Sequence, residues 1–339
     1  MGASKNNRGD TDSMTSHRNK SSEGAVHAFL RKIPAIYISL ALLFAFVSLF
    51  VAGNRSFLSI YNLKIIGNVA AILLTVGLGQ AFVIMTGGID LSVGGIISLT
   101  SVVYLLGLET FGYFSFLIAI AVACTAGLLN GIIFTKARIP SFVCTLGTGG
   151  IFVSITYLLH EAPISVSPKN FAFLDVVNAH PLGFSNSWII AVIVVAIYFI
   201  IQRYTYLGRT IQAIGSNEKM SWMSGINVER SKIVAFMLSG FGAGVAGIIL
   251  ASNLYSGSAI FGDLYVLESV AVVVVGGTAI TGGAGGVLNT IVGALIMSVF
   301  KNGMTVVGID VYAQQTFLGI LIIIAVAITF DRTKVITIK

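Results

Sequence analysis

Apolar runs of about twenty residues recur along the chain, separated by short polar or glycine-rich stretches. A helix needs about 20 apolar residues to cross the hydrocarbon of a bilayer. Ten segments meet or approach that length, at about 34–52, 65–85, 91–108, 114–135, 141–159, 187–201, 233–251, 264–280, 287–301 and 314–330. The pattern predicts an all-α polytopic membrane protein of about ten transmembrane helices. Residues 1–33 are polar and rich in Ser, Asn, Lys and Arg, which predicts a disordered tail, and 331–339 form a short basic tail. The membrane domain is 34–330, interrupted by a long polar loop at about 202–232.

Charge sets the orientation. With the N-terminus in the cytoplasm, inner segments carry six Lys and Arg in 1–33, two in 136–140, five in 202–232 and three in 331–339. Outer segments carry Arg55, Lys64, Lys169 and Lys301. Lysine and arginine concentrate on cytoplasmic loops, so both termini are predicted inside. The same distribution accounts for the net charge of +7 without a nucleic-acid partner, since no segment offers a basic face interleaved with aromatics.

Composition removes further classes. The chain of 339 residues is 56% hydrophobic and only 10% charged, which no soluble domain requires. Cys124 and Cys144 lie inside apolar runs, at a spacing that suggests neither a disulfide framework nor a metal site. His17, His27, His160 and His180 are scattered, and no His-Glu-x-x-His occurs. No catalytic residue, metal site or cofactor is predicted, and there is no phosphate-binding loop of the Walker type, so this chain carries no ATPase motif of its own.

The densest candidate chemistry is T-G-G-I-D-L-S-V-G-G at 86–95. It places Asp90 and four glycines where a spanning chain should be continuous helix. A carboxylate at membrane depth needs a pairing or functional reason. Glycine pairs at that depth need protein or a wet cavity around the backbone. Asp90 therefore either faces a polar path or caps the helix that follows, accepting backbone N–H bonds. A similar stretch, G-G-T-A-I-T-G-G-A-G-G, occupies 276–286, with Gly87/Gly276, Gly88/Gly277 and Gly94/Gly283 in register. Paired helix breaks are a mark of transporters. Gly127-x-x-x-Gly131, and Gly240, Gly244 and Gly247 on one helical face, predict close helix packing.

The polar loop carries a second candidate. Ser216 fits an N-cap, Glu218 favours the positive end of a helix and Gly225 suits a left-handed stop, which predicts a helix of about eight residues. That helix carries Met220, Trp222 and Met223 on a cytoplasmic segment. Two outcomes fit: it packs on the protein's own inner face, or it lies in a partner's groove.

G-Q-A-F-V-I-M-T-G-G-I-D-L-S-V-G at 79–94 resembles the signature of ribose- and galactose-type permeases of bacterial ATP-binding-cassette importers. So do A-G-L-L-N-G at 126–131, I-P-S-F-V-C-T-L-G-T at 139–148, Y-L-G-R-T-I-Q-A-I-G-S-N-E at 206–218 with S-G-I-N-V at 224–228, and V-V-G-G-T-A-I-T-G-G-A-G-G-V-L-N-T-I-V-G-A at 274–294. The blocks run in family order over residues about 60–330. The resemblance implies an importer of a monosaccharide or related polyol in the bacterial inner membrane. It implies a second permease subunit, the same or a homologue, two cytoplasmic ATPase subunits and an extracytoplasmic sugar-binding protein. It implies that 203–231 is the segment gripped by the ATPase, with Arg209, Gly215, Asn217, Glu218, Met220, Trp222, Met223 and Gly225 as coupling residues. Asp90, Ser92, Asn130, Thr145 and Glu268 are the candidate polar groups along or beside the path.

The chain departs from the family pattern in four places. Ser141 stands where a second proline is common, Val153-Ser154 where Arg-Gly is common, and Val266-Leu267-Glu268 where Glu-Leu-Asp is usual. Met220, Ser221 and Trp222 stand where alanines are common. Amino-acid or nucleoside importers share part of the pattern, and an ion-coupled transporter is the rival mechanism. The latter needs several ionisable groups in the spans, and this chain has few.

Overall fold

The computed structural model describes residues 34–180 and 183–329, so the predicted tails 1–33 and 331–339 lie outside the described residues. The apolar runs form helices α1 (Ala35–Gly53), α2 (Ile60–Met85), α3 (Val93–Phe111), α4 (Ser115–Ala137) and α5 (Ser141–Leu159). A short helix α6 (Phe171–Asn178) precedes α7 (Asn186–Tyr204), which leads into α8 (Tyr206–Ser216) and α9 (Glu218–Met223). The chain continues through α10 (Val228–Leu254), α11 (Asp263–Val275), α12 (Val287–Val306) and α13 (Val311–Thr329). Among the described residues, seven apolar stretches are long enough to cross a membrane, and one of them is the 45-residue run Val93–Ala137, in which α3 and α4 meet at the 3-10 turn Gly112–Phe114. The chain is an all-α polytopic membrane protein.

α2 and α10 form the centre, since both are buried along most of their length, whereas α1, α5 and α7 present wide apolar faces outward. The predicted glycine faces are contact surfaces. A Cβ on Gly127 of α4 would stand 3.0 Å from Cα of Gly240 in α10, and one on Gly247 would stand 2.7 Å from the Ile97 carbonyl oxygen of α3. Backbones at that separation admit no larger residue, and without a hydrophobic force between helices this packing holds a membrane bundle together.

At one end of the bundle a two-residue ladder ties the long loops. β1 (Ile164–Ser165) pairs antiparallel with β2 (Ser256–Gly257), Ile164 opposite Gly257 and Ser165 opposite Ser256. Neither this ladder nor α6 is expected from the proline-containing loop 161–186. At the other end lie the two glycine-rich segments, the α4–α5 turn and the α8–α9 arm.

The structure corrects several boundaries. The glycine segments are connections between helices at that end, not interruptions at mid-span. α2 alone runs 26 residues before the first of them, about 39 Å of helix at 1.5 Å per residue. The eighth predicted span, 264–280, is helical only over Asp263–Val275, too short to cross by itself. The non-helical chain before it is sheltered by protein: Ser258 and Ala259 are buried and the Gly262 N–H donates to Ser98 Oγ at 2.9 Å. Lys301, counted with the outer loops by its sequence position, lies inside α12.

Candidate functional site

The first glycine segment follows a helix stop built by its sequence. Gly87 takes φ +83°, and the N–H of Gly88 returns to the Val83 carbonyl at 3.2 Å. The second segment repeats the motif: Gly277 takes φ +94°, and the N–H of Thr278 returns to Val273 at 3.1 Å. Both are left-handed stops that satisfy carbonyls at a helix end. The equivalent glycines are therefore Gly87 and Gly277, one residue away from the register that paired Gly87 with Gly276. Gly283 is also left-handed, at φ +78°. Gly94 is a contact point, where a Cβ would meet the Gly262 carbonyl oxygen at 2.7 Å.

Side chains from neighbouring helices clamp each segment. Ser141 Oγ accepts from the Ile89 N–H at 3.0 Å and Thr145 Oγ1 from the Leu91 N–H at 2.9 Å. Ser141, where the family pattern often has proline, thus supplies one of these clamps. Asp90 is fully buried. Its Oδ1 accepts from the Ser92 N–H at 2.9 Å and from Ser92 Oγ at 2.6 Å, and its Oδ2 accepts from Ser239 Oγ of α10 at 2.7 Å. Asn130 Nδ2 of α4 donates to Ser92 Oγ at 2.6 Å, so α4, α10 and the segment close on one another. The Gln80 side chain, oriented as its surroundings demand, donates to the Asp90 carbonyl at 3.1 Å and accepts from its N–H at 3.3 Å. Asp90 is thus not the N-cap of α3, a position held by Ser92, but it does accept a backbone N–H just before that helix.

The second segment is held by Gln202, at the end of α7. Gln202 Oε1 accepts from the Val287 N–H at 2.8 Å, and Nε2 donates to the Gly285 carbonyl at 3.1 Å. Asn289 Nδ2 donates to the Gly276 carbonyl at 3.0 Å. The two segments touch: the Gly283 N–H donates to the Met85 carbonyl at 3.0 Å.

Of the predicted polar candidates, Asp90, Ser92, Asn130 and Thr145 come together around the first segment, all fully buried. Glu268 stands apart, between α11 and α12, 5% exposed, with one carboxylate oxygen taking Lys301 Nζ at 2.6 Å and the other unpartnered. Removing Lys301 would leave a buried, unpaired charge, which costs about 3–5 kcal/mol.

The α8–α9 arm differs from its prediction. Ser216 ends α8; the cap of α9 is Asn217, whose side chain accepts from the Met220 N–H at 3.0 Å, and α9 has six residues rather than eight. Gly225 closes it as predicted, at φ +83°, with the Ile226 N–H returning to Ser221 at 3.1 Å. Met220, Trp222 and Met223 are 58%, 69% and 65% exposed, so no described residue covers them. Arg209 is exposed on α8, while Ile211 and Ile214 anchor that helix. Glu218 pairs with Lys232 at 2.7 Å and Glu229 with Lys136 at 2.6 Å, tying the arm to α10 and α10 to α4. Beside the arm is a groove of about 1030 Å³, reaching from Gly87 and Gly88 past Arg138 and Ser141 to Lys219 and Trp222. None of the five polar candidates lines it.

Sequence reasoning missed Gln202, Ser239 and Gln80. A signal existed for Gln80 and Gln202: each is a lone amide within or at the end of an apolar run, where a buried polar group needs a partner. Ser239 gave no such signal among the small residues of α10.

The chain matches the family described as "Branched-chain amino acid transport system / permease component" over residues 62–326. It is 34% identical to the ribose import permease protein of Bacillus subtilis (strain 168) over 285 residues, covering 83% of this chain and 88% of the relative. It is 32% identical to the D-allose transport system permease protein of Escherichia coli (strain K12) over 276 residues, covering 80% and 84%. It is 31% identical to the fructose import permease protein of Rhizobium meliloti over 314 residues, covering 88% and 86%. No solved structure matches.

Proposed function

We infer what this chain does from one premise: it belongs to the permease family of ATP-binding-cassette sugar importers. It is a multi-pass membrane subunit of such an importer, working with ATPase and binding-protein partners. Within that frame the substrate is a monosaccharide of the ribose, allose or fructose kind. One observation carries this: relatives named for three different monosaccharides each align over 80–88% of the chain.

The chain crosses a bacterial inner membrane about ten times with both termini cytoplasmic, the permease domain being 34–330. In support, Lys136, Arg138, Arg203, Arg209, Lys219, Arg230 and Lys232 gather at the end bearing α8 and α9, against Arg55, Lys64 and Lys169 at the other. Two permease subunits, alike or homologous, stand over two ATPase subunits. α9 seats Met220, Trp222 and Met223 in a cleft of the ATPase, and the exposure of these side chains supports that seat. Asp90, Ser92, Asn130 and Thr145 serve the path by holding the first glycine segment in place, while Glu268 lies beside it. ATP-driven closure of the ATPase pair then shifts the inner connections and alternates access to the path. A sugar needs no fixed counter-charge, and Glu268 is already paired with Lys301 between α11 and α12, which fits a neutral substrate better than a zwitterionic amino acid.

The test is uptake of labelled ribose, allose, fructose and leucine into vesicles holding the full complex with its binding protein. ATP-dependent accumulation of one sugar, not competed by leucine, is expected. Accumulation of leucine, or sugar entry at full rate with a hydrolysis-dead ATPase, overturns the assignment.

A further inference from the structure

The arm that faces the cytoplasm is joined to both glycine segments by its own residues. α7, α8 and α9 follow one another with single-residue joints. At the first, Thr205 Oγ1 donates to the Ile201 carbonyl at 2.6 Å and accepts from the Gly208 N–H at 3.4 Å. At the second, Asn217 caps α9 with its side chain. Such joints make a stiff bent lever, because the backbone groups at each corner are bonded across it.

The lever touches the membrane part at two points. Gln202, three residues before the first joint, spans the start of α12 with both ends of its amide, and its Nε2 also lies 3.9 Å from Met85 Sδ. Gly215, at the far end of α8, sits where the two glycine segments meet. A Cβ there would collide with the Met85 carbonyl oxygen and the Gly283 nitrogen. From the other side, a Cβ on Gly282 would stand 3.0 Å from Cα of Gly215 and 2.9 Å from the Gly87 nitrogen. Three backbones thus converge with no side chain between them.

We propose that Gln202 and Gly215 are positioning residues that carry the stroke of the ATPase from α9 to both glycine segments at once. The proposal rests on the reading that α9 docks on the ATPase. Packed backbones in contact pass on displacement because close-packed interiors are stiff. Gln202 makes the same displacement act on the N-terminus of α12 through two directed bonds. The paired segments therefore move as one unit, and the inner ends of α2 and α12 shift together.

Gln202→Met keeps the side chain's length and removes both hydrogen bonds. In the full complex reconstituted with its binding protein, it should lower transport and binding-protein-stimulated ATP hydrolysis at least tenfold. Basal hydrolysis and co-purification of the ATPase should stay within twofold of the unaltered complex. Stimulated hydrolysis within twofold of the unaltered level in Gln202→Met overturns the proposal. Failure of the unaltered chain to retain the ATPase removes the docking premise and the proposal with it, and that result is distinct from a coupled but insensitive variant. Hydrogen exchange on the unaltered complex settles the matter even if a variant does not fold. Amides in 86–92 and 276–287 should change protection together between nucleotide-free and ATP-bound states, and a change in only one segment overturns the joint.

Discussion

Asp90 shows how a single carboxylate can be tolerated in a membrane bundle without a cation. Its oxygens take three hydrogen bonds, from Ser92 N, Ser92 Oγ and Ser239 Oγ, at 2.6–2.9 Å. Those bonds offset part of the cost of burying the group. Asp90→Asn keeps one oxygen for Ser92, and the Ser239 hydroxyl can turn to accept from the new amide. We expect it to insert normally, to lose about 1–2 kcal/mol of stability and to retain most transport. Asp90→Ala leaves the buried hydroxyls of Ser92 and Ser239 without their acceptor, and we expect a loss of about 3–5 kcal/mol on summing such orphaned groups. Unfolding temperatures in detergent, read beside uptake in vesicles, check both. A transport-dead but fully stable Asp90→Asn would place the carboxylate on the sugar's path instead. The need for a partner at Asp90 was legible in the sequence, because a lone charge between apolar runs demands one. Which partner was not: Ser239 lies 149 positions away on α10, and only the packing of glycine faces brings it near.

Among the elements, α9 is the one whose surface contradicts an isolated existence. A helix of six residues is far below the length that is stable alone, yet it exposes an indole and two thioethers. Its position is fixed instead by the Asn217 cap, the Gly225 stop and the Glu218–Lys232 pair. Buried aromatic anchors dominate interface energies, and truncating one costs at least about 2 kcal/mol. We therefore expect Trp222→Ala to weaken association with the ATPase by at least thirtyfold, measured as binding of the purified ATPase to the permease in detergent. Because Trp222 is 69% exposed, the unfolding temperature of the permease alone should hardly move. A lowered unfolding temperature with unchanged association would mean that α9 packs on its own membrane instead. The existence of α9 and its Gly225 stop were readable from turn chemistry. α8 is missed, although Leu207, Ile211 and Ile214 recur at helical spacing, because it lies within a stretch read as one polar loop. The cap was displaced by one residue because Ser216 and Asn217 are both good caps, and only the continuation of α8 through Ser216 decides between them.

For the whole molecule, the two ends of the bundle differ in chemistry, and that difference carries the orientation. One end holds the β1–β2 ladder, α6 and the Glu109–Lys169 pair at 3.7 Å; the other holds the glycine segments, the lever and the seven Lys and Arg named above. Reading orientation from charge alone required assigning every loop to a side, and the assignment was weakest where spans were short. Charge counting puts Lys301 outside, although it pairs with Glu268 within the bundle, and α11 has only 13 residues, fewer than a crossing needs. Its removal from the outer count only sharpens the asymmetry. The consequence is testable by labelling. In a chain with Cys124 and Cys144 replaced by alanine, Ser224→Cys should react with a membrane-impermeant maleimide only in inverted vesicles. Glu161→Cys should react only in right-side-out spheroplasts. Both positions are exposed, so lack of reaction from one side reports the barrier and not burial. Labelling of Ser224→Cys from outside would invert the protein, put the lever out of reach of any cytoplasmic ATPase, and sink coupling through α9. Labelling of both positions from the same side would mean that α7 does not cross, and the count of about ten spans would fall with it.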